Sequence, residues 1–174
     1  MSQKKIKMER EKVSVFVGLG ANLGNAQRAV LDAVEAIGKL QETQVIGCSS
    51  LYRSAPFEAT GPDYLNVVLH IESRINAYDL LLAFQALENA AGRERPYRNA
   101  PRTLDIDLLL FGDACIESAK LTVPHPRMND RAFVLYPLAE LAPDRVSQEN
   151  LSKVLGQDIK QEAGTVLHPK LFPS

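Results

Sequence analysis

The stretch from Pro101 to Gly112 reads PRTLDIDLLLFG. From Leu104 to Phe111 it is apolar apart from two aspartates, and a short Leu, Ile and Phe run bounded by Pro101 and Gly112 argues for a buried strand. Residues two apart on a strand point to the same side. Asp105 and Asp107 therefore share a face, about 6.5 to 7 Å apart along the chain. Two neighbouring carboxylates on a buried strand repel each other and are costly to desolvate, so something cationic must offset them. A few oxygen ligands and nothing else suit Mg²⁺, which keeps its waters and recruits phosphate oxygens to finish its octahedron.

The residues just upstream sharpen this. Arg93, Arg95, Arg98 and Arg102 lie within GRERPYRNAPR, and guanidinium groups match phosphate oxygens through their planar donor fork. Arginines leading into a carboxylate pair of the Mg²⁺ type are what a polyphosphate needs. A bland alternative is that the arginines merely neutralise the aspartates on a solvated surface, but that would not require two aspartates on one face of an apolar strand. Four guanidinium groups with two prolines and little apolar content also repel one another in the absence of ligand. The loop from Arg93 to Arg102 is thus expected to be mobile in the free protein and to order over bound phosphates.

Around this centre the composition is ordinary. The chain has 174 residues, 45% hydrophobic and 24% charged, with a net charge of −1, which fits one domain with a sizeable core. A non-specific nucleic-acid or membrane surface has no support in that charge, and any phosphate recognition must be local. The cysteines, Cys48 and Cys115, have no zinc-type spacing and make no disulfide framework, so a reducing cytoplasm is the expectation. No apolar run approaches the length of a membrane-spanning helix. The basic start followed by VSVFVGLGA has the outline of a signal peptide, yet its apolar part is short, β-branched and Gly-interrupted, and reads as a first strand. The expected organisation is a charged, disordered tail over residues 1–12 and a single domain over 13–174, acting as a monomer.

In chain order, Val13 to Val17 alternates as a strand, and GLGANLGN follows. Its Gly18, Gly20 and Gly24 miss the dinucleotide fingerprint by one residue and no Walker-type Gly-Lys-Ser/Thr is present, so the stretch reads as a tight strand-to-helix turn. Asn25 can cap a helix to about Leu40 with Ala26, Val30, Ala33, Val34, Ile37 and Leu40 on one stripe. Gln44 to Arg53 reads as one strand, Ser54 to Pro62 as a loop, and Asp63 to Ser73 as a strand with Leu65, Val67, Leu69 and Ile71 facing one way. On its other face Tyr64 stands beside Asn66, an aromatic plate next to an amide that could hold a flat heterocycle, although such residues at a strand start are more often plain surface. Asn76 can cap a helix from Ala77 to Ala91 ended by Gly92, on which Gln85 and Glu88 share a face leading to the arginine loop. Beyond the aspartate strand, Leu121 to Val123 is a short strand and PHPRMNDRAF brings His125, Arg131 and Phe133. Val134 to Leu141 is an apolar, partly helical segment interrupted by Pro137, and only a weak helical patch near Leu151 to Leu155 follows. The order of strands and helices suggests a split βαβ, ferredoxin-like α+β domain, with a largely antiparallel sheet and helices packed on it.

GLGANLGN, LYRSAPF, DYLN, the Gln85-x-x-Glu88 helix ending in Gly92-Arg93, PRTLDIDLLLFG and LTVPHPRMNDRAF occur in this order. Together they resemble the 6-hydroxymethyl-7,8-dihydropterin pyrophosphokinases of folate biosynthesis over roughly residues 13 to 143. The resemblance implies transfer of a pyrophosphoryl group from ATP to the pterin hydroxymethyl oxygen, with release of AMP. It implies that Asp105 and Asp107 hold two Mg²⁺ ions, and that Arg93, Arg95, Arg102, His125 and Arg131 surround the triphosphate, Arg93 and Arg102 acting catalytically with the aspartates. It places Gln85 and Glu88 on the nucleotide side, Leu108 and Thr122 at the adenine, and Ser54, Phe57, Tyr64, Asn66 and Phe133 around the pterin. The family often carries a tryptophan in the arginine loop; here the loop reads Arg98-Asn99-Ala100-Pro101 and the chain has none. Two other classes share parts of the pattern. A nucleotidyltransferase also uses Asp-x-Asp and two metals but releases pyrophosphate, and a ferredoxin-like RNA-binding module would need an aromatic RNP1 pattern on a basic sheet, which is missing.

Overall fold

A computed structural model describes residues 9–92 and 103–163. Of the tail expected over residues 1–12, residues 1–8 lie outside the described residues, while Arg10 O accepts from Arg74 Nη1 and Lys12 Nζ donates to Gln44 Oε1. The arginine loop, with Arg93, Arg95, Arg98 and Arg102 and its expected mobility, also lies outside, as do residues 164–174. The central strand is β1 (Val13–Ala21). It pairs antiparallel with β4 (Tyr64–Ser73) on one side and with β5 (Asp105–Phe111) on the other. On the far edge of β4 lie β2 (Thr43–Cys48) and β3 (Tyr52–Ser54), also antiparallel, and β3 carries β8 (Ile159–Gln161). The helix α1 (Ala26–Gly38) connects β1 to β2, and α2 (Ala77–Ala90) connects β4 to β5. Each is a βαβ unit split by a strand of the other, which makes this the ferredoxin-like α+β fold. A small ribbon of β6 (Ile116–Glu117) and β7 (Thr122–Val123), the helix α3 (Ala132–Leu141) and the short α4 (Gln148–Lys153) complete it.

Period-two alternation sends the strands' apolar residues to two cores. Val15, Val17 and Leu19 of β1, Leu65 to Ile71 of β4 by alternate residues, and Ile106 and Leu108 of β5 pack under α1 and α2 with Val30, Ile37, Leu80 and Phe84. Phe16, Val68 and Leu109 face the other way and meet Leu135 and Leu138 of α3. Both predicted helix caps form: Asn25 Oδ1 accepts from Arg28 N at 3.0 Å and Asn76 Oδ1 from Asp79 N at 3.0 Å. Gly92 closes α2 at φ 84°, the left-handed conformation that glycine adopts without strain.

Four local expectations change. Gly18 to Ala21 belong to β1 rather than to a turn, because Gly18 and Gly20 are paired on both sides, with Val68 and Asn66 of β4 and with Asp107 and Asp105 of β5. Two ladders outweigh the turn preference of glycine. The strand expected over Gln44 to Arg53 is broken in two at Ser49, whose N–H donates to Val68 O and whose Oγ accepts from Val68 N, both at 2.9 Å. The serine side chain replaces a ladder bond there. Pro137 does not interrupt α3: it costs the bond to the Phe133 carbonyl, while buried Leu135 and Leu138 keep the helix on the sheet. Finally, Glu88 does not share an open face with Gln85. It is 5% exposed and its Oε1 accepts from Ile106 N at 2.9 Å, tying α2 to β5.

His70 on β4 stacks on Phe16 with centroids 4.6 Å apart, and its Nε2 lies 2.7 Å from Ser14 Oγ. Burial pushes its pKa below the ordinary 6.5, with Glu72 opposing, so folding favours the neutral ring. That contribution is complete above the unfolded pKa and is lost as pH falls. Urea unfolding from about pH 8 to about pH 5 should show stability declining with acidity more steeply in the wild type than in His70→Gln. Parallel curves would contradict the assignment.

Candidate active site

The cleft opens on the α3 side of the sheet, where β1, β4 and β5 lie side by side, and has a volume of about 230 Å³. Its floor is the β1 backbone at Gly18 and Gly20. The strand β5 contributes Asp105 and Asp107, β4 contributes Tyr64 and Asn66, the loop after β3 brings Phe57 and Glu58, and the turn into α3 brings His125, Arg127, Arg131 and Phe133. Asp105 is registered opposite Gly20 and Asp107 opposite Gly18. With Ile106 and Leu108 buried in the core, strand alternation leaves both carboxylates facing the cleft.

Arg131 Nη1 lies 3.8 Å from Asp107 Oδ2, and its guanidinium sits 5.5 Å from the centroid of the Phe133 ring. Burial pushes its pKa below the usual arginine range, opposed chiefly by Asp107. Its Nε is buried with no hydrogen-bond partner. A buried cationic donor of this kind is costly until an acceptor arrives, and an anionic oxygen in the cleft would supply one. His125 is held by its N–H on Leu109 O at 2.9 Å, and its Nδ1 accepts from Arg127 N at 3.2 Å. The ring proton is therefore on Nε2, available as a donor. Burial lowers the His125 pKa below the ordinary value, Asp107 opposes this, and Arg131 and Arg127 lower it further.

Asn66 and three aromatic side chains lie on the β4 side of the cleft. Asn66 is 4% exposed, and its Nδ2 donates to Ser54 Oγ at 2.9 Å and Tyr52 O at 3.4 Å. Its Oδ1 stands over Gly20, where a Cβ would lie only 3.1 Å away. Tyr64, Phe133 and the half-exposed Phe57 line the same cavity. Across the mouth, Arg127 Nη2 pairs with Glu58 Oε2, joining the loop after β3 to the turn before α3.

Nine residues singled out in the sequence thus line one cavity: Ser54, Phe57, Tyr64, Asn66, Asp105, Asp107, His125, Arg131 and Phe133. Four do not. Gln85 is exposed on α2, Glu88 is engaged with Ile106 N, Leu108 is 3% exposed in the core under the helices, and Thr122 pairs with Glu117 in the small ribbon. Arg93, Arg95 and Arg102 lie outside the described residues. Sequence reasoning missed Gly18, Gly20, Glu58 and Arg127. The glycines show their role only once the register sets them against the aspartates, whereas Arg127, two residues after His125 in a phosphate-compatible segment, had a signal that could have been followed. Among the described residues no cluster of three or more His, Cys, Asp or Glu could enclose a metal. A pair of cleft-facing carboxylates instead fits an ion that completes its shell with water and phosphate oxygens.

Fold and cleft together make a ferredoxin-like domain that gathers an acidic pair, a partly buried arginine and a buried amide in one cavity on its sheet. Residues 16–143 match the family described as 7,8-dihydro-6-hydroxymethylpterin-pyrophosphokinase (HPPK), and the chain belongs to that family. Among similar proteins, a 2-amino-4-hydroxy-6-hydroxymethyldihydropteridine pyrophosphokinase of Pseudomonas aeruginosa is 45% identical over 131 residues, covering 75% of this chain and 81% of that one. The protein of the same name from Synechocystis is 40% identical over 153 residues, covering 88% of this chain and 78% of its own. A crystal structure of an HPPK-DHPS protein in complex with substrates superposes with a TM-score of 0.62 at 10% identity. It covers 76% of this chain, which spans 40% of that longer one, and shows likeness of fold.

Gly20→Ala should push the Asn66 amide by a few tenths of an ångström and weaken its bond to Ser54, at a cost of about 1 kcal/mol. Chemical unfolding should show a lower midpoint with an unchanged m-value. A wild-type midpoint would mean that the glycine is not required by this close approach.

Proposed function

We propose that this chain is an ATP-dependent pyrophosphokinase that transfers the β,γ-pyrophosphoryl group of ATP to the hydroxymethyl oxygen of 6-hydroxymethyl-7,8-dihydropterin, releasing AMP, in folate biosynthesis. The observation that carries this reading is the convergence in one cleft of two half-exposed carboxylates, a buried arginine donor without an acceptor, and an amide flanked by aromatic rings. The family match and the relatives' names point the same way.

In this reading the pterin lies between Tyr64 and Phe133 with its polar edge on Asn66, and its hydroxymethyl group reaches the carboxylate end of the cleft. The oxygen attacks the β-phosphorus in line, and AMP leaves through the α–β bridging oxygen. Asp105 and Asp107 would hold two Mg²⁺ ions, which when bound neutralise phosphate oxygens and align the reactants. Arg131 and the Nε2–H of His125 donate to the same anion, and Arg93, Arg95 and Arg102 are taken to complete the enclosure, Arg93 and Arg102 acting on charge that develops during transfer. Gln85, Glu88, Leu108 and Thr122 stay assigned to the nucleotide side by resemblance alone. We further take residues 13–174 as one catalytic domain, working as a cytoplasmic monomer on small molecules rather than nucleic acid or membrane. Support comes from the free Cys48 and Cys115, the net charge of −1, and the lack among the described residues of any helix long and apolar enough to cross a membrane.

Asp105→Asn and Asp107→Asn should each lower turnover by about a thousandfold or more, the scale of several kcal/mol of lost metal assistance. Apo stability should fall in Asp107→Asn, because that carboxylate is the chief counter-charge of the partly buried Arg131. AMP release measured by chromatography, alongside thermal melts, checks both. Near-normal activity at ordinary Mg²⁺ would remove these residues from the metal site.

Asn66→Ala and Phe133→Ala should weaken pterin binding by about tenfold to a hundredfold and leave the affinity for a non-hydrolysable ATP analogue nearly unchanged. Calorimetric titration with each ligand separates the two effects, and equal losses would put these side chains in the wrong half of the cleft.

A further inference from the structure

The residue at the N-cap of α3 is Arg131, and no side chain of its own caps the helix. A guanidinium has only donors, and this one faces Asp107 and the Phe133 ring. The first N–H groups of α3 still need acceptors. One comes from far along the chain: Gln157 Oε1 accepts from Ala132 N at 2.8 Å, while its Nε2 donates to Asp130 O at 2.7 Å. A single amide therefore grips the backbone on both sides of Arg131 and one residue before Phe133.

Gln157 is itself well anchored. Its N–H donates to Val154 O at 3.0 Å, and the next residue offers Asp158 O to Ala55 N at 3.3 Å. Then β8 pairs with β3, and Glu162 N donates to Leu51 O at 2.8 Å. The same segment lines a second cavity, of about 250 Å³, behind Phe57 and Phe133. It touches the loop after β3 and the start of α3, the two pieces of chain that carry Phe57 and Phe133. All of it lies after residue 143, where the family match ends.

We infer that Gln157 is a positioning residue for the cleft: as a remote cap on α3 it sets the placement of Arg131 and Phe133 and leaves the arginine free to serve the ligand. The inference deepens, and rests on, the reading of this cleft as the pterin and triphosphate site. Loss of a helix cap is worth about fivefold in an equilibrium, so Gln157→Ala should raise the pterin KM by about that factor or more. Gln157→Glu keeps an acceptor for Ala132 N, with a charge suited to a helix N-terminus, but loses the donor to Asp130 O, so it should recover only part of the loss.

The test is steady-state kinetics with Mg²⁺, ATP and 6-hydroxymethyl-7,8-dihydropterin on the wild type, both Gln157 variants and Val34→Ala, with a melting curve for each. Val34 is fully buried on the sheet-facing side of α1, across the sheet from the cleft, so its truncation lowers stability without touching the cap. Support is a raised pterin KM in Gln157→Ala, partial recovery in Gln157→Glu, and an unmoved KM in a Val34→Ala protein that melts at least as early. An unmoved KM in Gln157→Ala, no recovery with Glu, or a KM that follows melting temperature in Val34→Ala overturns the inference while leaving the function standing. A wild type that forms no AMP overturns both.

Discussion

Everything in this molecule depends on how one strand divides its side chains. Ile106 and Leu108 of β5 are buried under the helices, and their apolar burial is worth about 1.5 to 3 kcal/mol each. A slip of one residue would expose them and turn Asp105 and Asp107 into the core, at a cost of several kcal/mol for each desolvated carboxylate. Hydrophobic burial on one face therefore holds the acidic pair on the other. Glu88, buried beneath and bonded to Ile106 N, adds a second restraint on the same register.

From that placement the electrostatics of the cleft follow. Asp107 is the common neighbour of Arg131 and His125: it stabilises the arginine's charge and pulls the imidazole upward in pKa, against burial that pushes both down. The guanidinium keeps a buried Nε donor without an acceptor, a state that a phosphate oxygen would relieve. Opposite the aspartates, Gly18 and Gly20 leave the floor bare, so a ligand can approach the β1 backbone closely. The Asn66 amide is fixed by Ser54 and Tyr52, which leaves its oxygen to the cleft. The cleft thus carries a buried donor without an acceptor, a local cost that the cores on both faces of the sheet offset.

Much of this was legible in the sequence, for identifiable reasons. The Leu104 to Phe111 pattern, the alternation of Asp63 to Ser73, and the asparagine caps at Asn25 and Asn76 are local signals, and the structure reproduces them within a residue or two at the ends. The motifs also led to nine of the side chains that meet in the cleft. What could not be read is long-range. Gly18 and Gly20 look like turn residues until two neighbouring strands pair with them. Glu88 looks solvated until β5 passes over its helix. The three residues of β8 carry no periodicity, so neither that strand nor Gln157's bond to α3, 25 residues earlier, could be foreseen. Each of these was decided by contacts between residues distant in the chain.

The central claim is that one cleft seats a pterin beside a metal-bound triphosphate, with the side chains in the roles given above. Its most direct test is a crystal structure with Mg²⁺, a non-hydrolysable ATP analogue and 6-hydroxymethyl-7,8-dihydropterin. The account predicts metal density between Asp105, Asp107 and the phosphates, Arg131 Nε on a phosphate oxygen, and the pterin ring over Gly20 with its edge on Asn66. A pterin bound outside the Tyr64–Phe133 end of the cleft, or phosphates that leave both aspartates untouched by metal, would contradict it.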